Sequence, residues 1–140
     1  MYTYKYPRAA LTVDAIVMVK TEATTFVLLI ERGREPFKNK WALPGGFIDM
    51  DETLEQACIR ELEEETGLQV AKMQQFRTYD AINRDPRHRT ISVVYSVELA
   101  EQKPVKGSDD AAQAKWFSIE DLPELAFDHA DILADFFKIK

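Results

Sequence analysis

Residues 53–67 carry both ends of one helix and fill it with acids. Thr53 and Gln56 form a capping-box pattern, and Gly67 stands where a left-handed helix stop belongs, so the sequence predicts a helix over residues 53–66. Eight Asp or Glu residues lie between Asp49 and Glu65, against the single Arg60. On a wheel of about 100° per residue started at Leu54, the stripe of Leu54, Ala57 and Cys58 faces the core. Glu61 and Glu65 fall inside that stripe and Glu64 lies on its flank, whereas Glu63 points the opposite way. A purely solvated acidic run would place its carboxylates away from the small apolar residues.

Inward carboxylates one turn apart repel each other and lose hydration, so they need cations or protons. With oxygen ligands and no nearby Cys or His pair, Mg2+ or Mn2+ suits them better than Zn2+. The competing reading is an ion-paired helix in which Arg60, Arg77 or Lys72 neutralises the acids.

Around this helix the chain alternates strands and turns. Residues 11–19 and 26–30 read as a strand pair across a short polar turn, followed by a charged loop over 31–40. Trp41-Ala42-Leu43-Pro44-Gly45-Gly46 is one short apolar element ending in breakers. Residues 72–80 and 90–99 are strand candidates around a basic loop over 83–89, 115–118 is one more short strand, and 128–138 closes the chain as a helix. Taken alone, this pattern reads as α+β. The length of 140 residues predicts one domain over 1–140. The net charge of -6 argues against a nucleic-acid-binding surface but leaves room for a small anionic substrate brought in by a metal ion. Cys58 is the only cysteine, residues 1–10 hold no apolar run of signal length, and no stretch is long enough to span a membrane. A cytoplasmic location is therefore the expectation.

Gly46, five residues, Glu52, seven residues, then Arg60-Glu61-Leu62-Glu63-Glu64-Glu65-Thr66-Gly67-Leu68 resembles the complete Nudix box in a single register. Seven identities and two aliphatic positions agree, and the preceding Trp41-to-Gly46 stretch looks like the usual lead-in. The resemblance covers nearly the whole chain and implies the α/β class, a Nudix-type α/β/α sandwich around a mixed β-sheet. It also implies Glu61, Glu64 and Glu65 as metal ligands, with Glu52 supporting through water or a further metal. Arg60 would orient Glu61 or its neighbours by charge-assisted hydrogen bonds, and Gly46 and Gly67 would have backbone roles. The implied activity is metal-assisted hydrolysis of a diphosphate, with Glu61 or Glu64 as general base. Asp109 and Asp110, in the turn before the last strand, are further candidates for that proton.

Arg84, Arg87 and Arg89 crowd one loop of an otherwise acidic chain, and arginine suits phosphate recognition. They join Gly45 and Gly46 as candidate substrate-binding residues. His88 and His129 read as structural or surface residues, and Asp128 as a cap for the final helix. Trp41, Phe37 and Tyr79 read as core or loop anchors before base-stacking residues. The Arg-Asp-Pro-Arg and Leu-Ala-Phe-Asp-His segments are similar to the ADP-ribose pyrophosphatase-like branch, which implies cleavage of ADP-ribose to AMP and ribose 5-phosphate. Dimerisation is typical of ADP-ribose-cleaving members, so a homodimer is the protein partner this resemblance allows. Two alternatives stand beside it: a nucleoside triphosphate pyrophosphohydrolase that cleans the nucleotide pool, and a non-catalytic ADP-ribose sensor. The intact box, and a chain ending at Lys140 without an appended winged helix, weigh against the sensor.

Overall fold

The structure is a computed structural model that describes residues 3–139; the two ends of the expected 1–140 domain lie outside the described residues. Its centre is β1 (Ala10–Lys20), an apolar strand buried over most of its length. Such strands pair on both edges and are covered on both faces. One edge of β1 runs parallel to β6 (Thr90–Leu99), from Ala10 opposite Thr90 to Val19 opposite Leu99. The other edge is shared by two antiparallel partners. Met18–Lys20 pair with the start of β2 (Thr25–Arg32), while Thr12–Asp14 pair with β4 (Gly45–Phe47). β2 and β1 therefore part company midway, and Ala15 N–H donates across the gap to the Pro44 carbonyl at 2.8 Å.

The remaining strands complete a seven-stranded mixed sheet. β3 (Trp41–Ala42) and β7 (Ala111–Ser118) pair with β2, and β5 (Gln74–Tyr79) pairs with β6. The single apolar element expected over residues 41–46 is thus two strands separated by Leu43 and Pro44. The last strand also begins earlier than residue 115. Ala111 to Ala114 have little intrinsic strand signal, and they are extended because β2 offers a partner as far as Arg32.

Alternation along β1 sends Val13, Ala15 and Val17 to one face, where they meet Ala57, Cys58 and Leu62 of α1 (Leu54–Thr66). Ile16, with Val27, Leu29 and Val94, meets Ile132 and Leu133 of α2 (His129–Phe137) on the opposite face. The result is a three-layer α/β/α sandwich, which corrects the α+β reading. Helix α1 has the ends its sequence predicts. Thr53 Oγ1 accepts from Gln56 N–H at 3.1 Å, Gln56 Oε1 accepts from Thr53 N–H at 2.8 Å, and Gly67 closes the helix at φ 76°. Among the described residues, no helix is long and apolar enough to cross a membrane.

Candidate active site

Where β1 and β2 separate, a cleft of about 220 Å³ opens between the inner end of α1 and the loops beyond β2, β5 and β7. Glu61 and Glu65 stand on one wall; Arg32, Arg34, Arg84 and Arg87 reach it from other segments. The backbone of Gly45 and Gly46 lies between them because β4 is held on β1 at this point.

Glu65 is only 7% exposed, and its Oε1 accepts from Gly45 N–H at 2.8 Å. Burial pushes its carboxyl up to about 8; the Gly45 bond opposes that rise, and the charges of Glu61 and Asp14 add to it. Burial also raises the Glu61 carboxyl, against the pull of Arg60. Arg60 gathers the other acids of the box. Its Nε and Nη2 grip Glu52 at 3.0 and 2.6 Å, and its Nη1 reaches Glu61 at 2.9 Å and Glu64 at 3.1 Å. This fork, with Glu52 first, raises the Arg60 guanidinium and lowers Glu52. Of the three bases weighed as neutralisers, Arg60 is the one in contact with these acids; Arg77 pairs with Asp135 at 3.3 Å on α2. Glu64 is exposed beside Asp109, and Glu63 points to solvent, where it accepts from Gln69. Among the described residues, no three acidic, Cys or His groups converge as a metal cage. The donor set nonetheless has the chemistry for a hard divalent cation: carboxylates alone, two of them raised by burial on the cleft wall.

The raised Glu65 carboxyl has a consequence for pH. Because its folded value near 8 exceeds the ordinary 4.5, the folded chain holds a proton that the unfolded chain releases between those limits. Stability is therefore highest below about pH 4.5 as far as this group is concerned, and is lost as pH rises toward 8. Thermal melts in EDTA across that range are expected to show the fall, and the Glu65→Gln variant should flatten it. An unchanged slope in the variant would show that Glu65 is not the group responsible.

The basic loop divides. Arg84 Nε and Nη2 donate to Asp128 Oδ2 at 2.9 Å and Oδ1 at 2.7 Å, with the Arg84 side chain 4% exposed. Asp128 does stand at the start of α2, but its side chain makes no cap bond and serves Arg84 instead. Arg87 takes Asp85 in a two-point grip at 3.1 and 2.8 Å and still lines the cleft. Arg89 is absent from the cleft wall; it braces its own loop through the Asp80 and Ala81 carbonyls. Asp128→Ala would strand the buried Arg84 charge, at a cost of about 3–5 kcal/mol. Urea melts test this, and a loss well under 1 kcal/mol would show the pair to be dispensable.

Several cleft residues escape a reading by motif. Asp14 is the one acid in β1, set in the middle of its apolar run. It is buried, accepts from the Ser92 hydroxyl, and faces His129 Nε2 at 3.7 Å. His129 Nδ1 accepts from Leu43 N–H at 3.0 Å, so the neutral ring carries its proton on Nε2, and burial holds its pKa low. That fits the structural role expected of His129, while His88 meets Thr90 Oγ1 at 2.8 Å. Trp41 packs on Phe117, Phe37 on Phe127, and Tyr79 donates to Asp135, so these three are anchors. The aromatics lining the cleft are Phe47 and Phe127. A lone acid in an apolar strand was the available signal for Asp14; no spacing marks Arg32 or Phe127.

The family model for the NUDIX domain matches residues 10–136. The chain is 40% identical over 135 residues to an ADP-ribose pyrophosphatase of Methanocaldococcus jannaschii, covering 96% of this chain and 77% of that protein. Among solved structures, the NUDIX domain of Shewanella oneidensis NrtR in complex with ADP ribose superposes with a TM-score of 0.89 at 32% identity, covering 98% and 92% of the two chains. A MutT/nudix family protein from Enterococcus faecalis gives a TM-score of 0.88 at 31% identity, and this chain spans 64% of its length and 99% of its own. A three-layer sandwich with an acid-walled cleft at a strand split is the class of architecture that the site and these neighbours define. The chain belongs to the NUDIX family.

Proposed function

We propose that this cleft hydrolyses ADP-ribose to AMP and ribose 5-phosphate with Mg2+ or Mn2+ held by Glu61, Glu64 and Glu65. The enzyme is a Nudix pyrophosphohydrolase, and hydrolases of this family generally use divalent metals. The observation that carries the reading is one cleft lined by Glu61 and the buried Glu65 together with Arg32, Arg34, Arg84 and Arg87. A diphosphate resists attack because its own charge repels a nucleophile; when bound, the cation neutralises that charge and activates water. Arg60 holds Glu61 and Glu64 in place, with Glu52 anchoring Arg60 from behind. Glu61 or Glu64 accepts the proton as the water oxygen bonds to phosphorus and the bridging P–O bond breaks. Asp109, at the mouth of the same cleft, is the alternative acceptor. The 40% identity to a protein named for this reaction supports the choice of substrate.

A net charge of -6 goes with a small nucleotide as partner, the buried single Cys58 with the cytoplasm, and the ADP-ribose branch with a homodimer. One observation favours a second reading, in which the domain binds ADP-ribose without cleaving it: the NrtR neighbour holds that ligand. The deciding experiment is a panel of ADP-ribose, NADH, NDP-sugars, dinucleoside polyphosphates and oxidised dNTPs with Mg2+ or Mn2+. Solvent-oxygen labelling would identify the bond broken. AMP and ribose 5-phosphate as the preferred products support the enzyme; tight binding of ADP-ribose with no turnover of any compound would establish the sensor instead.

A further inference from the structure

Between β3, which pairs with β2, and β4, which pairs with β1, the chain crosses the strand split at Leu43 and Pro44. Pro44 has no N–H to give, so the crossing is held through the amides on either side of it. Both of those amides donate to side chains. Leu43 N–H reaches His129 Nδ1 at 3.0 Å, and Gly45 N–H reaches Glu65 Oε1 at 2.8 Å. His129 opens α2 and Glu65 lies in the last turn of α1, so the two acceptors come from layers on opposite faces of the sheet. Between them the Pro44 carbonyl accepts from Ala15 N–H at 2.8 Å.

The His129 end of this string is firmly anchored. Residues 124–126 run beside β3, with Trp41 N–H on the Glu124 carbonyl at 3.2 Å and Ala126 N–H on the Trp41 carbonyl at 2.8 Å. Arg84 grips Asp128, the next residue before the ring. The imidazole is buried, and Asp14 facing Nε2 at 3.7 Å favours the proton there, which leaves the Nδ1 lone pair for Leu43. The Glu65 end is a carboxylate crowded by Glu61 and Asp14, and its Oε1 is held by Gly45 N–H. Without an acceptor at position 129 the buried Leu43 N–H is left unmet, and its peptide gains by turning toward another partner. That turn rotates Pro44 and carries the Gly45 amide off Glu65.

We infer that His129 is a positioning residue for Glu65: by accepting from Leu43 N–H it fixes the crossing at the strand split, so that Gly45 N–H holds the Glu65 carboxylate in the cleft. Helix α2 thereby sets the place of an acid that belongs to α1, on the far side of the sheet. The role rests on the proposed function only in counting Glu65 among the carboxylates that work there. His129 acts through the backbone of residues 43–45 and has no part in the proton transfer itself.

The test is amide hydrogen exchange by NMR on the metal-free protein, with kcat and KM measured under Mg2+ on a panel compound that turns over. His129→Leu fills the volume of the ring and offers no acceptor, and His129→Phe keeps a ring without one. His129→Asn is smaller but puts an oxygen where Nδ1 stands. Melting curves show which variants are folded. In His129→Leu and His129→Phe, exchange at Gly45 is expected to quicken by at least about tenfold, the size of one buried hydrogen bond. Their kcat should fall by at least about tenfold with KM within about threefold, the mark of a displaced working group. His129→Asn should restore both readouts to within about threefold of wild type. A packing role gives the reverse order, with Leu nearest wild type and Asn farthest from it, and that order overturns the assignment. So does unchanged Gly45 exchange in a folded Leu or Phe variant, even if ADP-ribose is cleaved. The unaltered protein supplies a check of its own: Leu43 N–H exchanging more than about tenfold faster than Gly45 N–H would show Gly45 to be held without Leu43, and would also overturn it. If wild type turns over no compound, the proposed function fails alone, and the exchange pattern then decides the role of His129.

Discussion

Replacing Glu65 by glutamine is expected to cut kcat by at least about a hundredfold, the scale of losing a metal ligand or a proton acceptor. The same change should raise the melting temperature of the metal-free protein at pH 8. These opposite signs follow from one environment. Glu65 is buried, and its charge is opposed by Glu61 and Asp14. A glutamine keeps the oxygen that accepts from Gly45 N–H, so the fold retains its bond while shedding the charge. Glu64→Gln should match the loss of kcat without the stabilisation, since Glu64 is already exposed, and Glu63→Gln should be near silent in both assays. Near-normal turnover in both Glu65→Gln and Glu64→Gln would remove the metal site from this helix.

Gly46→Ala is the second large effect, expected to lower kcat by about a hundredfold, as a misplacement of roughly 1 Å in a catalytic group can do. A Cβ at Gly46 would lie 2.7 Å from the Glu61 carboxylate, so that group must move. The obstacle is the far end of a flexible side chain, which can swing away cheaply, so the melting temperature should change by only a few degrees. Gly45→Ala offers the contrast. Its Cβ would stand 2.1 Å from the Val13 carbonyl, a backbone atom in β1, and the whole β4 pairing must yield. Activity lost in Gly46→Ala with stability kept, against stability lost in Gly45→Ala, is the expected pattern. Unchanged turnover in a folded Gly46→Ala protein would show that Glu61 does not need its present position.

What could be read from the chain without its structure was what neighbouring residues decide among themselves. Thr53, Gln56 and Gly67 set the limits of α1, and a periodicity of 3.6 separated Glu61 and Glu65 from Glu63 before any fold was known. The layering was hidden because both faces of β1 are apolar: Val13, Ala15 and Val17 look like Ile16 in sequence, although they meet different helices. Asp128 carried a sound local signal for a cap, and a buried arginine from a distant loop outbid it. Arg89 looked equivalent to Arg84 and Arg87, and only the path of the loop sends it to backbone carbonyls of its own segment. Arg32, Asp14 and Phe127 come together solely because β1, β2 and the turn before α2 meet at one point.

The parallel pairing of β1 with β6 joins Ala10 to Thr90, with most of the chain lying between them. Local contacts can shape α1 early, but closing so long a loop is slow and comes with the collapse of the sheet. The acids of the cleft sit on a helix whose two caps are local, whereas Arg87 reaches the cleft from the loop that leads into β6, so its place depends on the pairing of β6 with β1. During refolding, recovery of helical signal is expected to run ahead of recovery of ADP-ribose binding, and a fragment bearing the whole acidic box would own the acids without owning a place to put an anion.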